Sequence, residues 1–191
     1  EMYKDDINYE TEAEFERAVR HDVMAHVKAF GAQAKSAEKI IHLGATSCFV
    51  TDNAEIIIID NALDIILQKL VNVMANLKDF ALKYKDLPTL GFTHLQPAQL
   101  TTVGKRATLW LSDLAMDYEL LVNLKKSVKL RGVKGTTGTQ ASFMDLFEND
   151  ENKVKELEKR VVSKMGYSAV YGVTGQTYPR KFDYNVLSVL S

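Results

Sequence analysis

The sequence predicts an all-α chain built on long antiparallel helices. Apolar residues recur at helical rather than strand spacing through most of the 191 residues. Prolines are confined to positions 88, 97 and 179, so long stretches run without a breaker. From Ile56 the apolar positions Ile59, Leu63, Ile66, Leu70, Val73, Leu77, Phe80 and Tyr84 follow in alternating steps of three and four, which is a heptad seam.

Composition narrows the class. Hydrophobic residues at 46% and charged residues at 26% fit a soluble globular protein and argue against disorder. Lys and Arg total 24 against 25 for Asp and Glu, so no global basic field calls for nucleic acid. The single Cys48 allows no internal disulfide framework and suits a reducing compartment. No secretory leader opens the chain, and no apolar run reaches the roughly 18 residues of a membrane span. The expectation is a cytoplasmic protein with neither a nucleic-acid nor a membrane partner.

The first helix is signalled by Thr11 with Glu14 as a capping box and by Gly31 as its stop. Phe15, Val19, Val23, Val27 and Phe30 form its core stripe, and Asp22 and His26, one turn apart near that stripe, are placed to hydrogen-bond. Arg20-His21-Asp22 reads either as a solvated helix face or as part of a polar site. In the stretch from Ile40 to Cys48, Thr46 and Ser47 either close a turn or offer hydroxyls to a ligand.

The second helix is expected from Asp52, supported by Glu55, to near Pro88, spanning roughly 50 Å. Then comes Gly91-Phe92-Thr93-His94-Leu95-Gln96-Pro97, a short polar break between helices. An imidazole there either packs as part of the turn or serves as an acid/base group near neutral pH. A third helix after Pro97 carries Leu100, Val103, Ala107, Trp110, Leu114, Leu121, Leu124 and Val128 on its seam and stops at Gly132. Leu111, Ala115, Tyr118 and Val122 give it a second apolar face, so more than one neighbour is expected.

Glycines then recur every three residues through Gly132, Gly135 and Gly138, with Lys134 and three threonines between and after them. Such a loop either cradles an anion or is a plain turn. A capped helix is expected between Asp150 and Gly166, with Val154, Leu157 and Val161 inward, and Pro179 is placed to open a last helix. No metal site is suggested, because His21 and His26 stand five apart on different faces with no Cys at ligand spacing. No cofactor is called for.

Taken in order, the blocks RHDVMAH at 20–26, HLGATSC at 42–48, TLGFTHLQPAQLTTVGKR at 89–106, RGVKGTTGTQASF at 131–143 and TGQTYPRK at 174–181 resemble the adenylosuccinate lyases of the fumarase/aspartase superfamily. The resemblance implies a β-elimination that releases fumarate from adenylosuccinate, giving AMP, and from the related succinyl-carboxamide ribotide of purine biosynthesis. It also implies that His94 is the acid that protonates the leaving nitrogen and that Thr93 contacts the succinyl group. Arg20, His21 and Asp22 would bind the nucleotide phosphate and orient the site. Thr46 and Ser47 would hydrogen-bond a carboxylate, and Gln176 would reach the nucleotide portion.

By the same resemblance, residues 1–47 are the end of an N-terminal helical domain and 48–191 are part of a central long-helix domain. The C-terminal domain of the family falls outside these residues. The expected assembly is a homotetramer whose active sites are each shared among three subunits. The family's mobile serine loop, which supplies the general base, has no counterpart here, so these 191 residues alone are expected to be inactive. Two other readings are a sister lyase that releases fumarate from argininosuccinate or malate, and a non-catalytic helical scaffold.

Overall fold

In the computed structural model, which describes residues 6–191, the chain forms two compact units. The first comprises Glu1–Ile57 with Lys129–Arg180, and the second Ile58–Val128 with Lys181–Ser191. The elements in order are α1 (Tyr9–Val19), α2 (Asp22–Gln33), α3 (Ser47–Lys83), β1 (Pro88–Thr93), β2 (Gln96–Thr102), α4 (Val103–Lys126), α5 (Ala141–Leu146), α6 (Glu151–Lys164) and α7 (Lys181–Leu190). α3 starts in the first unit and continues in the second. Its 37 residues correspond to roughly 55 Å.

In the first unit, α1 and α2 replace the single helix expected from Thr11 to Gly31. Asn8, rather than Thr11, caps α1, accepting from the Thr11 amide at 3.0 Å. α1 ends where Arg20 turns left-handed at φ 52° and donates its amide to Glu16, and His21 then caps α2. Gly31 does not stop α2 but lies buried inside it. The expected stripe is not the buried face: Val19 is exposed, and α2 buries Val23, Ala25 and Ala29 rather than Val27 and Phe30. The apolar spacing of the sequence runs on across the break, which hides the kink from a periodicity argument. His26 approaches Glu12 of α1 at 3.8 Å rather than pairing with Asp22.

α3 starts at Ser47, ahead of the expected Asp52. The core beneath it joins Val133, Phe143 and Val154, with Ala45, Phe49, Phe147, Leu157 and Val161 packed around them. α6 is as the sequence suggests, capped by Asp150, which accepts from the Asn152 and Lys153 amides at 3.1 and 3.2 Å. Two polar clamps close this unit. Asn53 exchanges two hydrogen bonds with the backbone of Gly132, at 3.2 and 3.1 Å. Leu130 exchanges backbone bonds with Ala169 and Tyr171 at 3.0 and 2.9 Å.

In the second unit, α3 and α4 run antiparallel. Gly104 of α4 lies against Ala81 and Lys85 of α3, so closely that a Cβ there would stand 2.3 Å from the Ala81 carbonyl oxygen. At the other end of α4, Lys125 pairs with Asp60 at 2.8 Å and Asp64 at 2.7 Å. Ala81, Ala107, Leu121, Leu124 and Leu63 are buried in this unit, and α7 contributes Phe182 and Val186. Other seam positions of this unit stand exposed, among them Val73, Phe80, Trp110 and Leu100.

The polar break around His94 is a two-stranded antiparallel hairpin, and α4 begins at Val103 rather than after Pro97. Thr102 caps α4, accepting from the Lys105 amide at 3.0 Å. The strand register pairs Pro88 with Thr102 and Thr93 with Gln96, with an irregularity between Leu90 and Phe92. α4 also stops at Lys126, short of the expected Gly132. Residues 130–135 lie outside the helix and are buried in the first unit.

Candidate active site

The hairpin turn leaves only His94 and Leu95 between the paired residues Thr93 and Gln96. Both are left-handed, at φ 50° and 62°, as a two-residue turn of the primed type requires. Neither is glycine or asparagine, so the turn carries local strain of about 1–2 kcal/mol per residue. Strain of this kind gathers at functional sites. Both side chains are exposed, so the turn presents the His94 imidazole to solvent.

Beside the hairpin lies an open groove of about 1090 Å³. Thr93, Gln99, Thr101, Lys105 and Arg106 supply its polar lining, and Phe92, Leu100 and Leu109 supply apolar surface. Arg106 also donates to the Leu90 carbonyl at 3.0 Å, tying α4 to β1. Two cations with several hydroxyl and amide groups suit an anionic ligand.

In the first unit, His21 and Ser47 come together. His21 Nδ1 accepts from the Met24 amide at 3.4 Å, and Nε2 lies 3.1 Å from Ser47 Oγ. An imidazole that accepts on Nδ1 carries its proton on Nε2, so it donates to the serine. Asp22 lies 3.4 Å from the same Nδ1 and offers a partner when that nitrogen is protonated. Thr46 is buried and Ser47 opens α3, where unpaired amides and the helix dipole favour an anion. Arg20 stands exposed at the kink.

Gln176 sits on a loop pinned from below. Its side chain is exposed, while its carbonyl accepts from Arg131 Nε at 2.8 Å. Asp52 accepts from the Tyr178 amide at 2.7 Å and from Arg180 at 3.3 Å, and Arg180 stacks 4.2 Å above the Tyr178 ring. The anion-cradle option for the glycine loop gives way to a self-satisfied turn. Arg131 is bound to three backbone carbonyls, and Lys134 is 3.1 Å from Glu158. Burial pulls the Arg131 guanidinium below its usual pKa, and the Asp52 charge opposes that.

Arg20, His21, Asp22, Thr46, Ser47 and Gln176 thus belong to the first unit, and Thr93 and His94 to the second. Sequence reasoning missed His42, which is partly buried; burial, and then the neighbouring His21, lower its pKa. It also missed the role of Asp52. Its signal was present, since Asp52 falls on the stripe of Ile56, Ile59 and Leu63, and a carboxylate on a core stripe implies a buried partner. Nothing in the spacing marked Arg131. Among the described residues no cluster of His, Cys, Asp and Glu is placed to hold a metal ion.

The profile of a protein family described as lyase matches residues 2–166. The chain is 57% identical over 183 residues to an adenylosuccinate lyase of Schizosaccharomyces pombe, covering 96% of this chain and 38% of that protein. It is 59% identical over 176 residues to one of Saccharomyces cerevisiae, covering 92% and 36%. The chain therefore spans less than two-fifths of the length of these curated relatives. Among solved structures, a fumarate lyase from Mesorhizobium sp. BNC1 superposes with a TM-score of 0.82 at 23% identity, covering 98% of this chain and 42% of that one. A 3-carboxy-cis,cis-muconate lactonizing enzyme from Pseudomonas putida gives 0.78 at 23%. These two likenesses establish the fold.

Proposed function

Because the chain belongs to the lyase family, we propose that it is the portion of an adenylosuccinate lyase that carries the acid of the reaction. The observation that carries this reading is the 57% identity to the fission-yeast enzyme across 96% of the chain. The reaction is a β-elimination. A base removes a proton from the carbon next to a carboxylate of the succinyl group, the C–N bond breaks, and the nitrogen leaves with a proton from the acid. Fumarate and AMP are the products, and the succinyl-carboxamide ribotide is cleaved in the same way.

His94 is the acid in this reading. An imidazole can hand a proton to an amine leaving group, and the strained turn holds this one in the open. Thr93 contacts the succinyl group. Thr46 and Ser47 take a carboxylate at the start of α3. Arg20, His21 and Asp22 bind the phosphate, and Gln176 the nucleotide portion. The general base comes from a serine segment that these residues do not contain.

The assembly we propose is a homotetramer with shared active sites, in the cytoplasm. Its support is the apolar surface of the second unit, where Ile58, Ile65, Trp110 and Met116 are each more than half exposed. The test is adenylosuccinate cleavage, followed by ultraviolet absorbance, in the full-length protein and its His94→Gln variant. The expected result is turnover by the parent and a fall in kcat of roughly 10²-fold or more in the variant. A folded, tetrameric parent that leaves the substrate intact, or a variant as fast as the parent, defeats the reading.

A further inference from the structure

We infer that Arg131 is a positioning residue that acts on substrate through Gln176, an inference that rests on the reading of Gln176 as a substrate contact. Arg131 is fully buried. A guanidinium buried for stability alone usually pairs with a carboxylate. No described salt bridge joins Arg131 to a carboxylate, though the Asp52 charge is near enough to act on it, and its donors go to main-chain carbonyls. Nε reaches Gln176 O, Nη1 reaches Lys134 O and Nη2 reaches Gly135 O, each at 2.8 Å. The rigid fork of an arginine can hold three carbonyls at fixed angles, whereas a lysine cannot.

Two further contacts pin the same loop. The backbone of Thr174 and Gly175 lies so close to Gly138 that a Cβ there would stand 2.0 Å from the Thr174 oxygen. On the far side, Asp52 holds the Tyr178 amide at 2.7 Å. Residues 174–178 are thus fixed at three backbone points by buried or close-packed groups, while the Gln176 side chain is exposed. A carboxamide on an immobilised backbone binds its ligand with little ordering cost.

The experiment is a double-mutant cycle on kcat/KM for adenylosuccinate in the full-length protein, combining Arg131→Lys with Gln176→Ala. Since a misplacement of about 1 Å can cost up to 10²-fold, Arg131→Lys should lower kcat/KM roughly ten-fold in the parent background. In the Gln176→Ala background it should lower it less than about two-fold, because the group it positions is gone. Gly166→Ala, at a site where a Cβ meets nothing within 4 Å, serves as a stability control and should leave kcat/KM unchanged. Should Arg131→Lys fail to fold, Gly138→Ala disturbs the same backbone without removing the buried charge and takes its place in the cycle. Equal losses in both backgrounds overturn the inference, since Arg131 would then act through general structure. A Gln176→Ala variant with unchanged kcat/KM removes the premise instead, so the two failures are distinguishable.

Discussion

The loop that carries Gln176 and the hairpin that carries His94 hold their polar groups by opposite means. Around Gln176, a buried arginine, a buried aspartate and a close-packed glycine fix the main chain, and the side chain is exposed. Around His94 there is almost no packing. The turn is shaped by two consecutive left-handed residues, and Leu95 beside it is 99% exposed. The first region is rigid on its own account. The second is a two-stranded hairpin, marginal in water by itself, with Arg106 as a brace. The Gln176 loop is held by contacts within its own unit, whereas the His94 turn has few contacts of its own.

The largest expected effect separates buried from exposed apolar positions on α3. Leu63 is 1% exposed, so Leu63→Lys buries an ammonium without a partner and should cost about 4 kcal/mol or more, seen as loss of a cooperative unfolding transition. Ile65, two residues on, is 60% exposed. Ile65→Lys should change chain stability by no more than about 0.5 kcal/mol and yet lower the assembly state in sedimentation. An intact tetramer carrying Ile65→Lys would mean that this face stays in solvent.

A second pair probes the pinned loop. Gly138 and Gly166 are both left-handed, at φ 78° and 86°, but only Gly138 has backbone where a Cβ would go. Gly166→Ala should cost about 1 kcal/mol from conformation alone. Gly138→Ala should cost about 3 kcal/mol, since the Thr174–Gly175 backbone must also move. Thermal melts of the two variants measure the difference, and equal costs would mean that the loop is looser than its contacts suggest.

Smaller again is a pH effect in the first unit. Burial, and next the nearby His21, hold the His42 pKa below its ordinary 6.5. The unfolded chain then binds more protons than the folded one just below that value. The stability that neutral His42 supports is present above 6.5 and is lost as pH falls through the lowered folded pKa. His42→Gln should therefore change the melting temperature by different amounts at about pH 7.5 and about pH 5.5. A difference that stays constant with pH would assign the acid sensitivity to other groups.

How much of this was legible in the sequence depended on the kind of contact. The α3 and α4 seams were legible because a repeated apolar spacing needs no partner to be recognised, and the α6 cap because Asp150 acts within its own turn. The kink at Arg20 was not, since the apolar spacing of the sequence runs on across it and Arg20 is no glycine. The hairpin was hidden for the same reason: a primed turn announces itself by Asn-Gly or Asp-Gly, and His94-Leu95 is neither. The candidate site residues were named from the motif blocks. The pairing of His21 with Ser47, and the weld of Arg131 to Gln176 across 45 positions, depend on long-range geometry that spacing does not encode.

The smallest effect bears most directly on the hairpin. Leu95→Gly removes the left-handed penalty of about 1–2 kcal/mol, while glycine's freedom in the unfolded chain returns about 0.5–1 kcal/mol. The net expectation is a gain of about 0.5–1 kcal/mol, read from chemical unfolding of the full-length protein. No gain would mean that the turn is not strained, and the contrast between the two regions would weaken. A gain with unchanged kcat/KM would make Leu95 incidental to catalysis. A gain accompanied by a loss of kcat/KM carries the most information. An apolar side chain that is 99% exposed in this chain and that lowers stability where it stands is then kept for a contact outside it. That contact would hold the His94 turn still for proton transfer, as Arg131 holds Gln176 from within.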